Sequence, residues 1–268
     1  MTADISVCRR AETLGVSIST LYYKRKIPER DHALRRDIEN VLRKHPSYGH
    51  KRIALQLKRN KKCILRVMKL FGIKPYRRRG KKYRKALPQD QVYPNLLRLV
   101  TPTYAGCVWA ADFTHLNYKG KDVCVATTID VFSRRVVGAA VATTHGSALV
   151  TQAFGNALLA HGRPAIFHSD NGSEYHAKSF RTLLTTLGVS ISRSKKGCPW
   201  ENGYQESFYN QFKVDLGDPN RFSSLGQLAA AIYETIYRYN TERIHSALKM
   251  SPHTFAQLHA PATMQTLV

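Results

Sequence analysis

The chain has 268 residues, of which 42 are lysine or arginine and 18 are aspartate or glutamate, so its formal net charge is +24. A chain this basic binds polyanions by releasing their counterions, and nucleic acid is therefore the expected partner. No apolar run reaches the roughly 20 residues that cross a bilayer, and the five cysteines show no paired spacing, which argues against a membrane protein and a disulfide-rich secreted protein. We expect a reduced, cytoplasmic protein.

The basic residues are concentrated in the N-terminal part of the chain. Residues 1–100 contain 27 basic and 7 acidic residues, a net charge of +20, whereas residues 101–268 contain 15 and 11, a net charge of +4. The length suffices for one domain of about 150 residues with a full core and for smaller modules. We therefore expect basic modules that contact nucleic acid first and a larger core after them.

The first predicted module covers residues 1–28. Within it, residues 11–26 predict two short helices separated by a turn at Gly15, with Ser17 as the cap of the second helix. This is the pattern of a helix-turn-helix motif and equally that of an ordinary helical hairpin, and this segment alone does not decide between them.

The second predicted module covers residues 29–75 and contains three helices. Pro46 ends the first helix, Asn60 caps the third, and Gly72 ends the third. An apolar stripe on the third helix faces inward and consists of Ile64, Val67, Met68 and Phe71. The opposite face carries three candidate DNA-binding residues, Lys62, Arg66 and Lys69. A solvated charged face would show the same pattern.

Residues 76–100 are predicted to form a basic linker. Its cationic side chains are interleaved with Tyr76 and Tyr83, a composition that cannot build a core and suits a segment that follows DNA phosphates. The candidate DNA-binding residues of this linker are Arg77, Arg78, Arg79, Lys81, Lys82, Arg84 and Lys85.

The predicted core covers residues 101–217, and its element order indicates the fold class. Three consecutive apolar, β-branched runs begin at Cys107 and are joined by short connections, which predicts an antiparallel meander. Helix, short strand, helix, strand and helix follow, and a helical C-terminal extension at residues 218–268 completes the order βββαβαβαα. This order is typical of an α/β fold with a ribonuclease-H-like mixed sheet.

Three acids of this core stand where a charge needs an explanation. Asp112 lies in the first, apolar strand, where an unpaired carboxylate is costly unless a cation faces it. Asp170 follows a short buried strand and precedes an Asn-Gly turn, which leaves its carboxylate at the C-terminal rim of that strand. Glu206 lies on the helix after the last strand. Oxygen ligands of this kind suit Mg²⁺ or Mn²⁺, and two such ions are expected at a site for phosphodiester chemistry.

Four further residues are expected around these acids. Asn202, Asn210 and Lys213 share a helix face with Glu206, and the ammonium group of Lys213 is suited to hold a DNA phosphate beside Asn210. His168 shares a strand face with Asp170. Asn202 and His168 are candidates for supporting the carboxylates, although a structural histidine would show the same pattern.

Other residues near these positions have alternative interpretations. Glu174 is interpreted as a surface residue, Glu201 as an acid favoured at a helix start, and Asp130 as a turn former. Trp200 and Tyr204 flank Glu206, and they suit either stacking on an unpaired base or support of the helix.

Several segments of the chain resemble one known family. They are LGVSISTLYY, PSYGHKRI, NKKCILRVMKLFGI, WAADFTHL, TTIDVFSRRVVG, HSDNGSEY, ENGYQESFYNQFK and YNTERIHSALKMSPHTF, and they extend over nearly the whole chain. In these segments the chain resembles the OrfB transposase of bacterial insertion sequences of family three. The catalytic core of that family is similar to retroviral integrase and belongs to the DDE recombinases.

The resemblance implies that Asp112, Asp170 and Glu206 are the metal-binding catalytic triad, and Lys213 matches the basic residue seven positions after the glutamate. It also implies that the enzyme cuts one strand at the terminal inverted repeats of double-stranded DNA and joins the freed 3′ end to target DNA without ATP. A homo-oligomer on DNA, an upstream OrfA partner or fusion, and association with the bacterial nucleoid are expected by the same likeness.

Two alternatives remain beside this expectation. A nuclease of the same fold would hydrolyse DNA without joining it, but the separate basic modules favour binding of specific DNA ends. A catalytically silent DNA-binding protein derived from a transposase is the other, and the three intact acids argue against it.

Overall fold

A computed structural model describes residues 6–21, 27–76, 93–195 and 198–260. The seven candidate DNA-binding residues predicted between positions 77 and 85 lie outside these ranges. All five cysteines are free thiols. Among the described helices, none combines the length and the apolar character that a membrane span requires.

The N-terminal region is helical, as predicted. Its helices are α1 (Val7–Leu14), α2 (Ile18–Leu21), α3 (Ile27–Lys44), α4 (His50–Gln56) and α5 (Lys61–Leu70). Gly15 ends α1 in the left-handed conformation that glycine adopts without strain, at φ 61°. The Asn60 side chain accepts a hydrogen bond of 2.8 Å from the Lys62 N–H and so caps α5.

Helices α3, α4 and α5 share one apolar cluster, and we call these three helices the helical module. Its buried residues include Ile38, Ile53 and Tyr48, and the predicted stripe of α5 contributes Ile64, Val67 and Met68. Phe71 packs against the cluster from a partly buried position. The predicted inward face of α5 is therefore confirmed, whereas the division of the chain into domains stays a prediction.

A five-stranded mixed sheet forms the larger core. Its strands are β1 (Val108–Tyr118), β2 (Lys121–Asp130), β3 (Val136–Ala142), β4 (Ile166–Ser169) and β5 (Ser190–Arg193). Their spatial order is β3-β2-β1-β4-β5, with antiparallel pairing of β1 with β2 and of β2 with β3, and parallel pairing of β1 with β4 and of β4 with β5. The predicted meander and the predicted mixed sheet are confirmed.

Helices cover both faces of the sheet. They are α6 (Ser147–His161), α7 (Ser173–His176), α8 (Lys178–Thr186), α9 (Gly203–Leu216), α10 (Leu225–Thr241) and α11 (Pro252–Leu258). Residues of α6 and α8 pack around Trp109 on one face, and residues of α9 and α10 pack around Val125 on the other. Gly138 of β3 permits the close approach of α6, because a Cβ there would lie 2.2 Å from the carbonyl oxygen of Ala153.

The short helices α7 and α11 were not predicted. Helix α7 follows Gly172 and α11 begins at Pro252 with Ser251 as its cap. Helix α7 has 4 residues and α11 has 7, so neither is long enough for its helical period to be recognised in the sequence.

Candidate active site

Asp112 and Asp170 lie side by side at the centre of the sheet. In the parallel pairing of β1 with β4, Ala110 is opposite His168, and each aspartate stands two residues further along its chain segment. Asp170 directly follows β4, and its carboxylate accepts a 3.0 Å hydrogen bond from the Gly172 N–H. The carboxylate of Asp112 accepts one of 2.9 Å from the Phe113 N–H.

Helix α9 is fastened to β1 by three buried polar side chains. Asn202 Nδ2 donates to the carbonyl oxygen of Ala111 at 3.1 Å, and Gln205 Nε2 donates to that of Ala110 at 2.6 Å. The Tyr209 hydroxyl donates to the carbonyl oxygen of Asp112 itself at 2.8 Å. Because Glu206 follows Gln205, these bonds fix the glutamate beside the strand that carries Asp112.

The charges of Asp170 and Glu206 both act on Asp112, although the ligand oxygens of the three carboxylates do not all lie within 4.8 Å of one another. Burial, the Asp170 carboxylate and, to a lesser extent, the Glu206 carboxylate raise the pKa of Asp112 from its usual 3.8 to about 7. Burial also raises the pKa of Asp170, and the Gly172 N–H partly opposes the rise. Clustered carboxylates of this kind are stabilised by a bound cation, and a set of oxygen ligands fits a hard divalent metal.

The raised pKa of Asp112 predicts an unusual dependence of stability on pH. Between about pH 4 and pH 7, the folded protein holds a proton on Asp112 that the unfolded chain releases, so the free energy of unfolding falls as pH rises. Asp112→Asn removes this loss. In metal-free buffer at about pH 8 we expect the variant to be more stable than the wild type by on the order of 2 kcal/mol, and at about pH 4 equally stable.

Chemical denaturation in the presence of a chelator measures this difference. Asp37→Asn removes an exposed acid of the helical module and serves as the control for the loss of one negative charge. A wild type that matches Asp112→Asn at both pH values would contradict the prediction.

The other predicted neighbours of the acids take the following positions. The Lys213 ammonium donates a 2.9 Å hydrogen bond to the carbonyl oxygen of His115, which lies three residues after Asp112 in β1. Asn210 lies about one helical turn before Lys213 and is exposed. His168 is buried and shares a 2.8 Å hydrogen bond between its Nδ1 and the Ser192 hydroxyl. Burial lowers the pKa of His168 to about 4, with Arg193 adding to the effect, so this imidazole is neutral at pH 7.

The competing acids are used within the fold. Asp130 is buried and accepts hydrogen bonds from the backbone N–H groups of Gly106 and Ser133. Glu201 accepts from Asn95 Nδ2 at 2.9 Å and from the Lys195 N–H at 2.7 Å, and it pairs with Arg98. Glu174 lies in the first turn of α7 close to Asp170, whose pKa it helps to raise.

The candidate DNA-binding residues of α5 differ in their surroundings. Lys62 and Lys69 are exposed. The guanidinium of Arg66 forms two 2.6 Å hydrogen bonds to the carboxylate of Asp31 on α3, while about half of its side chain stays exposed. Arg66 thus stabilises the helical module, and a contact of Lys62, Arg66 or Lys69 with DNA stays a prediction.

A cleft between the helical module and the sheet was not predicted from the sequence, and we call it the basic cleft. Its volume is about 440 Å³. Three arginines from distant parts of the chain, Arg52, Arg134 and Arg243, line it together with Trp200 and Tyr204. The Arg134 guanidinium lies 4.1 Å above the centre of the Tyr204 ring, and its Nε and Nη1 atoms are buried without a hydrogen-bond partner in the described parts of the chain.

The charges in the basic cleft repel one another. Burial and then Arg243 lower the pKa of Arg52, and burial together with the three arginines lowers the pKa of His245, which also lines the cleft, to about 4. Like charges held this close in a half-buried cleft are stabilised by an anion. The sequence offers no local signal for this arrangement, because the arginines belong to α4, to the turn after β2 and to the segment after α10.

A mixed sheet with one acid within its central strand β1 and another directly after the neighbouring strand β4 is the arrangement of an integrase core. Residues 102–199 match the integrase core domain family, and residues 187–252 match a further family of the same description. The fold is similar to that of a chain in the intasome of simian T-cell lymphotropic virus, with a TM-score of 0.52 and 18% sequence identity over 80% of this chain and 72% of that chain.

Similar proteins of known origin identify the family more specifically than the integrase core domain does. The transposase for insertion sequence element IS904 of Lactococcus lactis is 32% identical over 209 residues, which cover 75% of this chain and 82% of the relative. A 31.7 kDa protein of insertion element IS407 of Burkholderia multivorans is 27% identical over 99% of this chain and 97% of its own length. The chain belongs to the family of insertion-sequence transposases.

Membership of this family confirms the expected class of activity. The chain is a DNA transposase with an integrase core, a polynucleotidyl transferase of the DDE type. An integrase core implies dependence on a divalent metal and action on DNA.

Proposed function

We propose that Asp112, Asp170 and Glu206 are the catalytic acids with which this transposase cuts the terminal inverted repeats of its element and joins the freed 3′ ends to target DNA. The observation that carries the proposal is the raised pKa of Asp112, which results from burial beside Asp170 and Glu206 in an integrase core. Carboxylates whose charges repel one another in a buried site suit the binding of Mg²⁺ or Mn²⁺, and we propose two ions.

The residues of the chain have distinct parts in this proposal. Asp112, Asp170 and Glu206 would hold the ions, and the chemistry that the ions would supply is activation of the attacking oxygen and stabilisation of the leaving oxygen in an in-line displacement at phosphorus. Asn202, Gln205 and Tyr209 hold α9 against β1 and so keep Glu206 at a fixed distance from Asp112. Lys213 holds a DNA phosphate next to the acids, for which its ammonium group leaves the carbonyl oxygen of His115.

The partners follow from the same proposal. Double-stranded DNA, both the terminal repeats and the target, binds through the basic surface of the N-terminal third, which has a net charge of +20 in 100 residues from 27 basic and 7 acidic side chains. We propose a homo-oligomer on DNA that brings two element ends together. An upstream OrfA product, separate or fused, is proposed as a further partner.

A strand-transfer assay tests the proposal. The protein is incubated with a labelled duplex that ends in the terminal repeat, an unlabelled target plasmid and Mg²⁺, and the products are separated on a denaturing gel. We expect one nick at the 3′ end of the repeat and labelled products longer than the substrate. Shortened products alone would support a nuclease of the same fold instead. A duplex with a scrambled repeat is the control, on which no joining is expected.

The basic cleft supports a prediction about DNA affinity. We expect Arg134→Gln to weaken DNA binding and to reduce the slope of log affinity against log salt by about 1, because one phosphate contact is lost. Lys178→Gln is the charge-matched control, since it removes one positive charge from an exposed position of α8 on the other face of the sheet. Fluorescence anisotropy at several salt concentrations measures both variants, and equal slopes would show that DNA does not enter the cleft.

A further inference from the structure

A second cluster of potential metal ligands lies on the opposite face of the sheet from the three acids. His115 of β1 is opposite Cys124 of β2 in the antiparallel pairing, and Asp122 lies two residues before Cys124 on the same face. His115 is an odd number of residues from Asp112, so the side chains of the two point to opposite faces. This cluster is therefore separate from the proposed catalytic site.

The donor atoms of the cluster are close together. The Sγ atom of Cys124 lies 3.4 Å from His115 Nδ1 and 3.4 Å from Asp122 Oδ2, and the last two atoms are 2.6 Å apart. Zinc bonds of about 2.3 Å to sulfur and 2.0–2.2 Å to nitrogen and oxygen place the ligand atoms of a tetrahedron roughly 3.3–3.6 Å apart. Both distances from the sulfur already have this value.

The remaining distance adjusts at small cost. His115 Nδ1 and Asp122 Oδ2 are hydrogen-bonded to each other, and these two atoms must move apart by less than about 1 Å to reach the tetrahedral spacing. Each of these side chains is 49% exposed, so both have room to turn. Cys124 is fully buried beneath them, which leaves the gap between the imidazole and the carboxylate as the entrance for an ion.

We propose that His115, Asp122 and Cys124 form a binding site for one Zn²⁺ ion, distinct from the site of the catalytic acids. A thiolate, an imidazole and a carboxylate are the ligands that zinc prefers, whereas Mg²⁺ prefers oxygen alone. Water would complete the tetrahedron, and His145 supplies a further imidazole nearby, with its ring centre 5.7 Å from that of His115. On binding, the Cys124 thiol loses its proton to solvent and the sulfur bonds to the metal.

The position of the site links it to the core. The ion joins β1 to β2 at the residue whose carbonyl oxygen accepts the hydrogen bond from Lys213. Zinc that binds the folded chain and not the unfolded chain also raises the melting temperature through mass action. The site is therefore expected to stiffen the β1–β2 hairpin next to the catalytic face.

Cobalt substitution tests the site in the full-length protein. Co²⁺ is titrated in the presence of excess Mg²⁺, and we expect one equivalent to produce the near-ultraviolet charge-transfer band of a cobalt–thiolate bond together with the visible bands of tetrahedral cobalt. Zn²⁺ should displace it. The absence of the charge-transfer band in the wild type overturns the proposal.

Variants identify the ligands. Cys124→Ser should remove the charge-transfer band, while Cys8→Ser, which changes an exposed thiol, and Asp112→Asn should keep it. His115→Ala and Asp122→Asn change half-exposed side chains, so these variants should fold and can be tested even if Cys124→Ser does not fold. Each should weaken cobalt binding at least about tenfold. A band that survives in Cys124→Ser, or unchanged affinity in both His115→Ala and Asp122→Asn, rules the site out.

Discussion

Replacement of Asp112, Asp170 or Glu206 by alanine is expected to abolish strand cleavage and strand joining and to leave DNA binding intact. Each acid is proposed to hold a metal ion, and such an ion lowers the free energy of the charged transition state by several kcal/mol. Each 1.4 kcal/mol corresponds to a factor of ten in rate. We therefore expect losses of at least about 10³-fold for each variant.

DNA binding should survive because it depends on a different part of the chain. The three acids lie in residues 101–268, whereas 27 of the 42 basic residues lie in residues 1–100. Removal of a negative charge next to bound DNA also lowers repulsion of the phosphates. Anisotropy with a labelled terminal repeat should give an affinity equal to that of the wild type or higher.

Glu174→Ala is the matched control for these variants. Its carboxylate lies close to Asp170 and influences the pKa of that residue, but it is not assigned to the metal site. We expect its activity to stay within about tenfold of the wild type, which is less than the loss of a metal ligand causes. If Asp170→Ala still joined DNA in Mg²⁺, or if Glu174→Ala were as inactive as the other variants, the assignment of the acids would be wrong.

The sequence predicted those features of the fold that depend on local period. Asp112 could be placed on one strand face and Trp109 on the other because side chains alternate along a strand, and Trp109 indeed packs against α6. The stripe of Ile64 and Val67 followed from the helical repeat in the same way. Asp112 and Asp170 could be proposed as site residues because a charge within or at the end of an apolar strand conflicts with its surroundings.

Features that depend on tertiary pairing were not predicted. In the sequence, nothing distinguishes Gln205 and Tyr209 from other residues of a helix. Their hydrogen bonds to β1 form only because the folded sheet presents backbone carbonyl groups to α9. Arg66 was placed on an open face, but Asp31, 35 residues earlier, pairs with it. His115 and Cys124 meet through strand register, which the spacing of cysteines in the sequence does not reveal.

Loss of the Arg243 side chain is the second change with a large expected effect, this time on stability. Arg243 is 3% exposed and forms an ion pair with Asp215 of α9. The same guanidinium donates to Gln211 Oε1 and, at 2.8 Å, to the Ser47 hydroxyl of the segment that joins α3 to α4. One buried charge thus connects α9, the segment after α10 and the helical module.

Arg243→Ala should lower the free energy of unfolding by about 3 kcal/mol, because it leaves the largely buried carboxylate of Asp215 without its hydrogen-bonded cation. We expect a melting temperature lower by several degrees and faster proteolysis of the segment between α3 and α4. Arg238→Ala is the comparison variant: Arg238 is partly exposed, pairs with the exposed Glu242 at 3.6 Å and donates one 3.1 Å hydrogen bond to the carbonyl oxygen of Lys44, so its removal should cost only about 1–2 kcal/mol.

A double variant separates the buried charge from the loss of packing. Arg243→Met combined with Asp215→Leu removes both charges and refills the space with apolar atoms, so it should regain most of the stability that Arg243→Ala loses. The contact between the helical module and the rest of the chain would still be weaker than in the wild type, because Ser47 loses its hydrogen bond from Arg243 while Tyr48 keeps its 2.7 Å hydrogen bond from the Ile244 N–H. Thermal unfolding of the single and double variants measures this order. A double variant no more stable than Arg243→Ala would show that the hydrogen bonds to Gln211 and Ser47, and not the buried charge, hold the helical module against α9.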